Sequence, residues 1–152
     1  MIRATWDTNA LASGAIAREG AIAELIDRWR RGDFEIVVSE HVLTELERTL
    51  GKPYFRIRLP EVDRKEFLAL VRRFATVTPV TDPIPAVLTH RGDNIVLATA
   101  ISAGTAIIVS GDREMQRLDS YRSLRSFPPE LSSNTLPRSE GAPHQRGSTG
   151  RR

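Results

Sequence analysis

Hydrophobic positions change their spacing several times along the 152 residues, and the changes predict alternating strands and helices. Residues 2–6 (Ile-Arg-Ala-Thr-Trp) lean apolar and end on Asp7, and the small polar residues after it start a helix carrying Leu11, Ala15 and Ile16. From Gly20, the positions Ile22, Leu25, Ile26 and Trp29 recur at helical spacing, with Arg28, Arg30 and Arg31 on the polar side and Gly32 closing the helix. Residues 34–38 (Phe-Glu-Ile-Val-Val) predict a second strand. Ser39 then stands at an N-cap, and Val42, Leu43, Leu46 and Leu50 form the buried stripe of a helix that Gly51 and Pro53 stop. Pro60 opens a helix with Val62, Phe67, Leu68, Leu70, Val71 and Phe74 on one face, and residues 77–80, interrupted by Pro79, predict a short edge strand. Residues 90–104 predict a helix with Asp93 in its first turn and Gly104 just past its end. Residues 105–109 are small and β-branched throughout, as in buried parallel strands, and lead into Ser110-Gly111-Asp112. A short helix over 115–118 and a last strand over 124–127 complete the pattern.

Strands alternating with helices imply right-handed crossovers and a parallel sheet, whose sites form beyond the carboxyl ends of its strands. Asp7 and Asp112 both follow strands, Asp93 opens the helix before the second of these, and Glu45 sits beside the apolar stripe of another helix. Any one aspartate at a strand end also reads as a helix N-cap. The four together point to a shared site, where unpaired carboxylates repel one another unless cations join them. Mg²⁺ and Mn²⁺ take oxygen ligands of this kind and act on phosphate esters.

Composition narrows this picture. At 40% apolar and 27% charged residues the chain suits one globular domain, and the absence of cysteine leaves oxygen or imidazole as the only metal ligands. There is no apolar run of the ~20 residues a bilayer requires and no signal-peptide pattern, so no membrane association and a cytoplasmic location are expected. The pI is 9.9, yet the four arginines and one glutamate of residues 132–152 account for the whole net charge of +3. That stretch is Ser-, Gly-, Pro- and Arg-rich, so a domain over 1–131 followed by a disordered tail is expected; an RNA-gripping arginine arm is the alternative. If the four acids gather in one pocket, the rest of the balanced body is positive, which suits a phosphate backbone crossing an acidic site.

Four segments then carry a resemblance: Trp6-Asp7-Thr8-Asn9-Ala10-Leu11; Ser39 through Glu45-Leu46-Glu47-Arg48-Thr49-Leu50; Asp93-Asn94-x-x-Leu97-Ala98; and Ser110-Gly111-Asp112. In this order and spacing, over roughly residues 2–130, the chain resembles a PIN domain, and more closely the VapC-like toxins of bacterial toxin–antitoxin systems. The resemblance implies a single three-layer α/β/α domain with a five-stranded parallel sheet in the order 3-2-1-4-5. It also implies Mg²⁺- or Mn²⁺-dependent cleavage of RNA by a metal-activated water, inhibition by an antitoxin lying over the site, and a homodimer. Asp7, Glu45, Asp93 and Asp112 would be the catalytic, metal-binding acids; Asn9 and Ser110 would orient them or touch the phosphate, with Asn94 as a helper. The chain departs from these toxins at residues 89–92 (Thr-His-Arg-Gly), where they commonly carry more acid, and at Trp6, where an aliphatic residue is usual.

Other readings compete. His41 and Glu45, four apart on one helix face, suit a metal pair, although His41 also reads as a plain surface residue. Residues 52–59 are basic with two aromatics, which suits RNA by charge and stacking or simply an exposed loop. The alternative function is a non-catalytic PIN-like module that binds RNA or protein. A phosphate-accepting receiver domain is excluded because no lysine follows Lys65.

Overall fold

The computed structural model describes residues 1–82, 84, 86–118 and 124–136. Among them, β1 (Arg3–Trp6), β2 (Glu35–Val38), β3 (Thr76–Val77), β4 (Ile107–Val109) and β5 (Arg125–Phe127) form one parallel sheet in the order β3-β2-β1-β4-β5. The α/β class and the strand order implied by the resemblance are those observed. β1 is central: Ala4 lies between Ile36 and Ile107, and Thr5 between Val37 and Ile108. A strand with neighbours on both edges and helices above and below has no wet face, which is why Ala4, Thr5 and Trp6 are all fully buried.

The helices are α1 (Thr8–Ile16), α2 (Gly20–Arg30), α3 (Glu40–Leu50), α4 (Pro53–Arg58), α5 (Glu61–Phe74), α6 (Arg91–Ala103), α7 (Arg113–Arg117) and α8 (Pro129–Thr135). In α3 the Ser39 hydroxyl accepts from Val42 N at 3.3 Å, and Val42, Leu43, Leu46 and Leu50 are buried as their spacing predicts. Truncating one of these leucines to alanine costs about 2–5 kcal/mol, because the cavity left behind refills only in part. Gly104 ends α6 in the left-handed region, φ 67°, where a β-carbon is strained. Among the described residues no helix is long and apolar enough to cross a membrane.

The structure corrects the sequence reading at several points. Residues 53–58 are a helix: Pro53 sits at its first position, where a missing N–H costs nothing. The edge strand β3 is only Thr76–Val77, and Pro79 lies beyond it. Arg28, expected on the polar side of α2, is 1% exposed and donates through Nη2 to the Leu136 carbonyl. Its guanidinium also lies 3.7 Å from Glu24 and 3.9 Å from the buried Asp33 carboxylate, so a buried charge is compensated on several sides. The fold therefore runs past the boundary expected at residue 131: α8 packs on α2 and β5, the Ser132 hydroxyl bonds the Pro128 carbonyl at 2.9 Å, and Leu136 joins the core. The remainder of the expected tail, residues 137–152, lies outside the described residues.

Candidate active site

Asp7 and Asp112 are brought together because β1 and β4 are neighbours in register, Trp6 opposite Val109, with Asp7 N donating to Val109 O at 3.2 Å. Both also cap helices. Asp7 Oδ1 accepts from Ala10 N at 2.7 Å at the start of α1, and Asp112 Oδ1 accepts from Met115 N at 2.8 Å at the start of α7. Capping thus occupies one oxygen of each and orients the rest of the carboxylate. Ser110 joins the pair, its hydroxyl donating to Asp7 Oδ2 and accepting from Asp112 N at 3.0 Å. Ser110 is fully buried, and Gln116 Nε2 holds its carbonyl at 2.8 Å.

Asp93 enters from the first turn of α6, half-buried, and Glu45 enters from α3. With Asp7 and Asp112 they line one cavity of about 490 Å³ that also meets Thr8, Asn9, His41, Thr49, Lys52 and His90. All four predicted acids therefore share one cavity, but not on equal terms. Burial pushes the Asp7 carboxyl up to about 6, against the pull of the Ser110 hydroxyl and the Ala10 N–H, and the charges of Asp93 and Asp112 push the same way. Asp93 is raised first by burial and then by Asp112, with Glu114 adding to the rise and His90 opposing it. These mutual effects place Asp7, Asp93 and Asp112 in one electrostatic neighbourhood. Glu45 faces them from the helical wall with its carboxylate 2.7 Å from Arg48 Nη1.

Of the helper residues, Ser110 bonds Asp7 directly, and Asn9 is exposed at the cavity rim. Asn94 is buried and spends both ends of its amide on Leu88, accepting from its N at 2.9 Å and donating to its carbonyl at 3.0 Å. It anchors the segment leading into α6. In residues 89–92, Thr89 donates from both N (2.8 Å) and Oγ1 (3.0 Å) to Glu114, so an acid from α7 stands beside Asp93 where a local acidic run is missing. Sequence reading missed Glu114 and Gln116, whose partners are remote in the chain. It also treated His90 and Lys52 only as parts of unusual or basic runs.

The donor set suits a hard cation. Among the described residues no three acidic or imidazole side chains stand close enough to cage an ion by themselves. One or two carboxylates with water completing the shell is the habit of Mg²⁺, and a carboxyl held up to about 6 by burial, with like charges adding to the rise, gains most from a cation beside it.

A sequence comparison with curated proteins finds no significant match. Among solved structures, the chain resembles VapBC2 from Rickettsia felis bound to a DNA fragment from their promoter (12% identity, TM-score 0.58, 84% of this chain and 98% of that one). It also resembles PAE2754 from Pyrobaculum aerophilum (19% identity, TM-score 0.58, 89% of each chain). A third likeness is to a domain of a functionally unknown protein from Methanocaldococcus jannaschii (18% identity, TM-score 0.53, 84% of this chain and 91% of that one). At these identities the likenesses speak for the fold. The sequence itself matches the PIN domain model over residues 3–114, and the chain belongs to the PIN domain family.

Proposed function

We propose that the protein is a divalent-metal-dependent ribonuclease that hydrolyses RNA phosphodiester bonds, and that it is the toxin of a toxin–antitoxin pair. One observation carries the reading: Asp7 and Asp112 are joined through the Ser110 hydroxyl at the carboxyl edge of the two central strands, with Asp93 in electrostatic reach of both. One or two of Asp7, Asp112 and Asp93 would hold the cation, with water completing its shell, and Glu45 lines the opposite wall. Mg²⁺ or Mn²⁺, when bound, supplies an activated water and charge stabilisation on the phosphate. Ser110 keeps the Asp7 carboxylate turned to the cavity, and Lys52, His41 and His90 offer positive or hydrogen-bonding groups around its mouth. The antitoxin partner is supported by the likeness to VapBC2, and a homodimer belongs to the same reading.

The test is incubation of the purified protein with mixed cellular RNA in Mn²⁺ or Mg²⁺, in EDTA, and with Asp93→Asn. Cleavage that needs metal and is lost in both controls is the expected result. Intact RNA together with retained Mn²⁺ binding favours the non-catalytic binding module instead.

A further inference from the structure

The acidic cavity makes no use of most of α4. This helix has no buried residue; Phe55 alone packs partly on the core. Tyr54 is 53% exposed and Ile57 82% exposed, and with Arg58 they share one helix face by three- and four-residue spacing. Arg58 lies over the Tyr54 ring, its guanidinium carbon 3.6 Å from the centroid, and its Nη1 donates to the Tyr54 carbonyl at 2.9 Å. The Phe55 ring meets Tyr54 edge-on at 5.0 Å and steadies it. Residues 52–58 hold Lys52, Arg56 and Arg58 and no acid, and Lys52 lines the cavity. Positive charge therefore starts at the cavity wall with Lys52 and continues on both exposed sides of α4, Arg56 on one and Arg58 on the other. The next acid in the chain, Glu61, is engaged by Lys65 at 3.0 Å.

We infer that α4 is the platform on which a single strand of RNA rests as it leaves the cavity, with Lys52, Arg56 and Arg58 against its phosphates and a base stacked on the Arg58–Tyr54 pair. The inference rests on the ribonuclease reading of the cavity and adds the form of the substrate: unpaired RNA extending several nucleotides past the cut. The outer face of a guanidinium is flat and accepts any base, and an unpaired base is free to reach it, whereas a duplex keeps its bases stacked inside. Because every base has such a face, the platform lengthens the bound strand without choosing its sequence.

The test uses the full chain carrying Asp93→Asn, so that RNA stays whole, and follows a labelled single strand of about twelve nucleotides by fluorescence anisotropy. Adding Tyr54→Ala is expected to weaken binding about tenfold. Adding Arg56→Ala with Arg58→Ala is expected to flatten the salt dependence by about 0.7 for each charge removed. A trinucleotide that fills only the cavity binds all of these proteins alike, and their thermal unfolding is the same. Equal affinity of the α4 variants for the long strand overturns the platform, and so does an equal loss for the long strand and the trinucleotide. Cleavage by the chain with Asp93 intact is read separately: if it cuts no RNA while the α4 effect persists, the nuclease reading falls and the platform stands. If it cuts and the α4 variants bind as the parent does, the platform alone falls.

Discussion

On one wall of the cavity, Asp7 and Asp112 stand at the ends of β1 and β4, each capping a helix and both tied through buried Ser110. On the other wall, His41 and Glu45 come from α3 and Lys52 from the turn after it; His41 and Lys52 are exposed, and Glu45 is bonded to exposed Arg48. The strand wall is organised before any ligand arrives, and its acids bear the repulsion. The helical wall is adjustable, and its surface ion pair is screened by water and worth under about 1 kcal/mol. On the proposed reading, such a division of labour would let the rigid wall set where a cation sits and the soft wall follow the substrate.

The strongest way to break this contrast is Asp112→Asn, which keeps a side chain able to cap α7 but removes a charge; RNA cleavage should fall at least about a hundredfold with the fold intact, as judged by thermal melting. Next comes pH. Asp7 is raised from 3.8 to about 6, so between those values the folded chain holds a proton that the unfolded chain has released. Stability in EDTA should therefore fall as pH rises through that window and level off above it, by about 3 kcal/mol from this group. Urea unfolding at pH 4 and 7.5 checks it: Asp7→Asn should lose this dependence, and an unchanged slope in that variant contradicts the burial account. Ser110→Ala leaves Asp7 Oδ2 and Asp112 N without their shared partner and should lower metal affinity or cleavage about 10- to 100-fold. The smallest effect belongs to the soft wall. Arg48→Ala should change melting by less than about 1 kcal/mol and cleavage only about twofold, since it frees Glu45 without removing it. A large loss there would mean that the helical wall is as rigid as the strand wall.

How far each wall was readable from sequence follows from the range of the forces that build it. Asp7 and Asp112 were visible because apolar runs ending on an acid are local patterns, and Glu45 because it flanks the stripe of Leu43, Leu46 and Leu50. Sheet order required more: the alternation of elements implied a parallel sheet, while the order 3-2-1-4-5 came only with the family resemblance. Arg28 misled because its position on α2 is polar by period, yet its partners, Asp33 and the Leu136 carbonyl, meet it only after folding. Residues 53–58 misled because basic side chains hide a short helix whose one local signal is Pro53. Asn94 fits the family motif but serves the Leu88 backbone, a contact six residues away that no spacing rule announces.

Mn²⁺ binding tests the central claim most directly. Titration followed by electron paramagnetic resonance of the free ion, comparing the unaltered chain with the Asp7→Asn, Asp112→Asn double variant, should show a saturable site in the first that is absent from the second. Equal uptake by both proteins, or none by the unaltered chain, would contradict a cation site built on the strand wall.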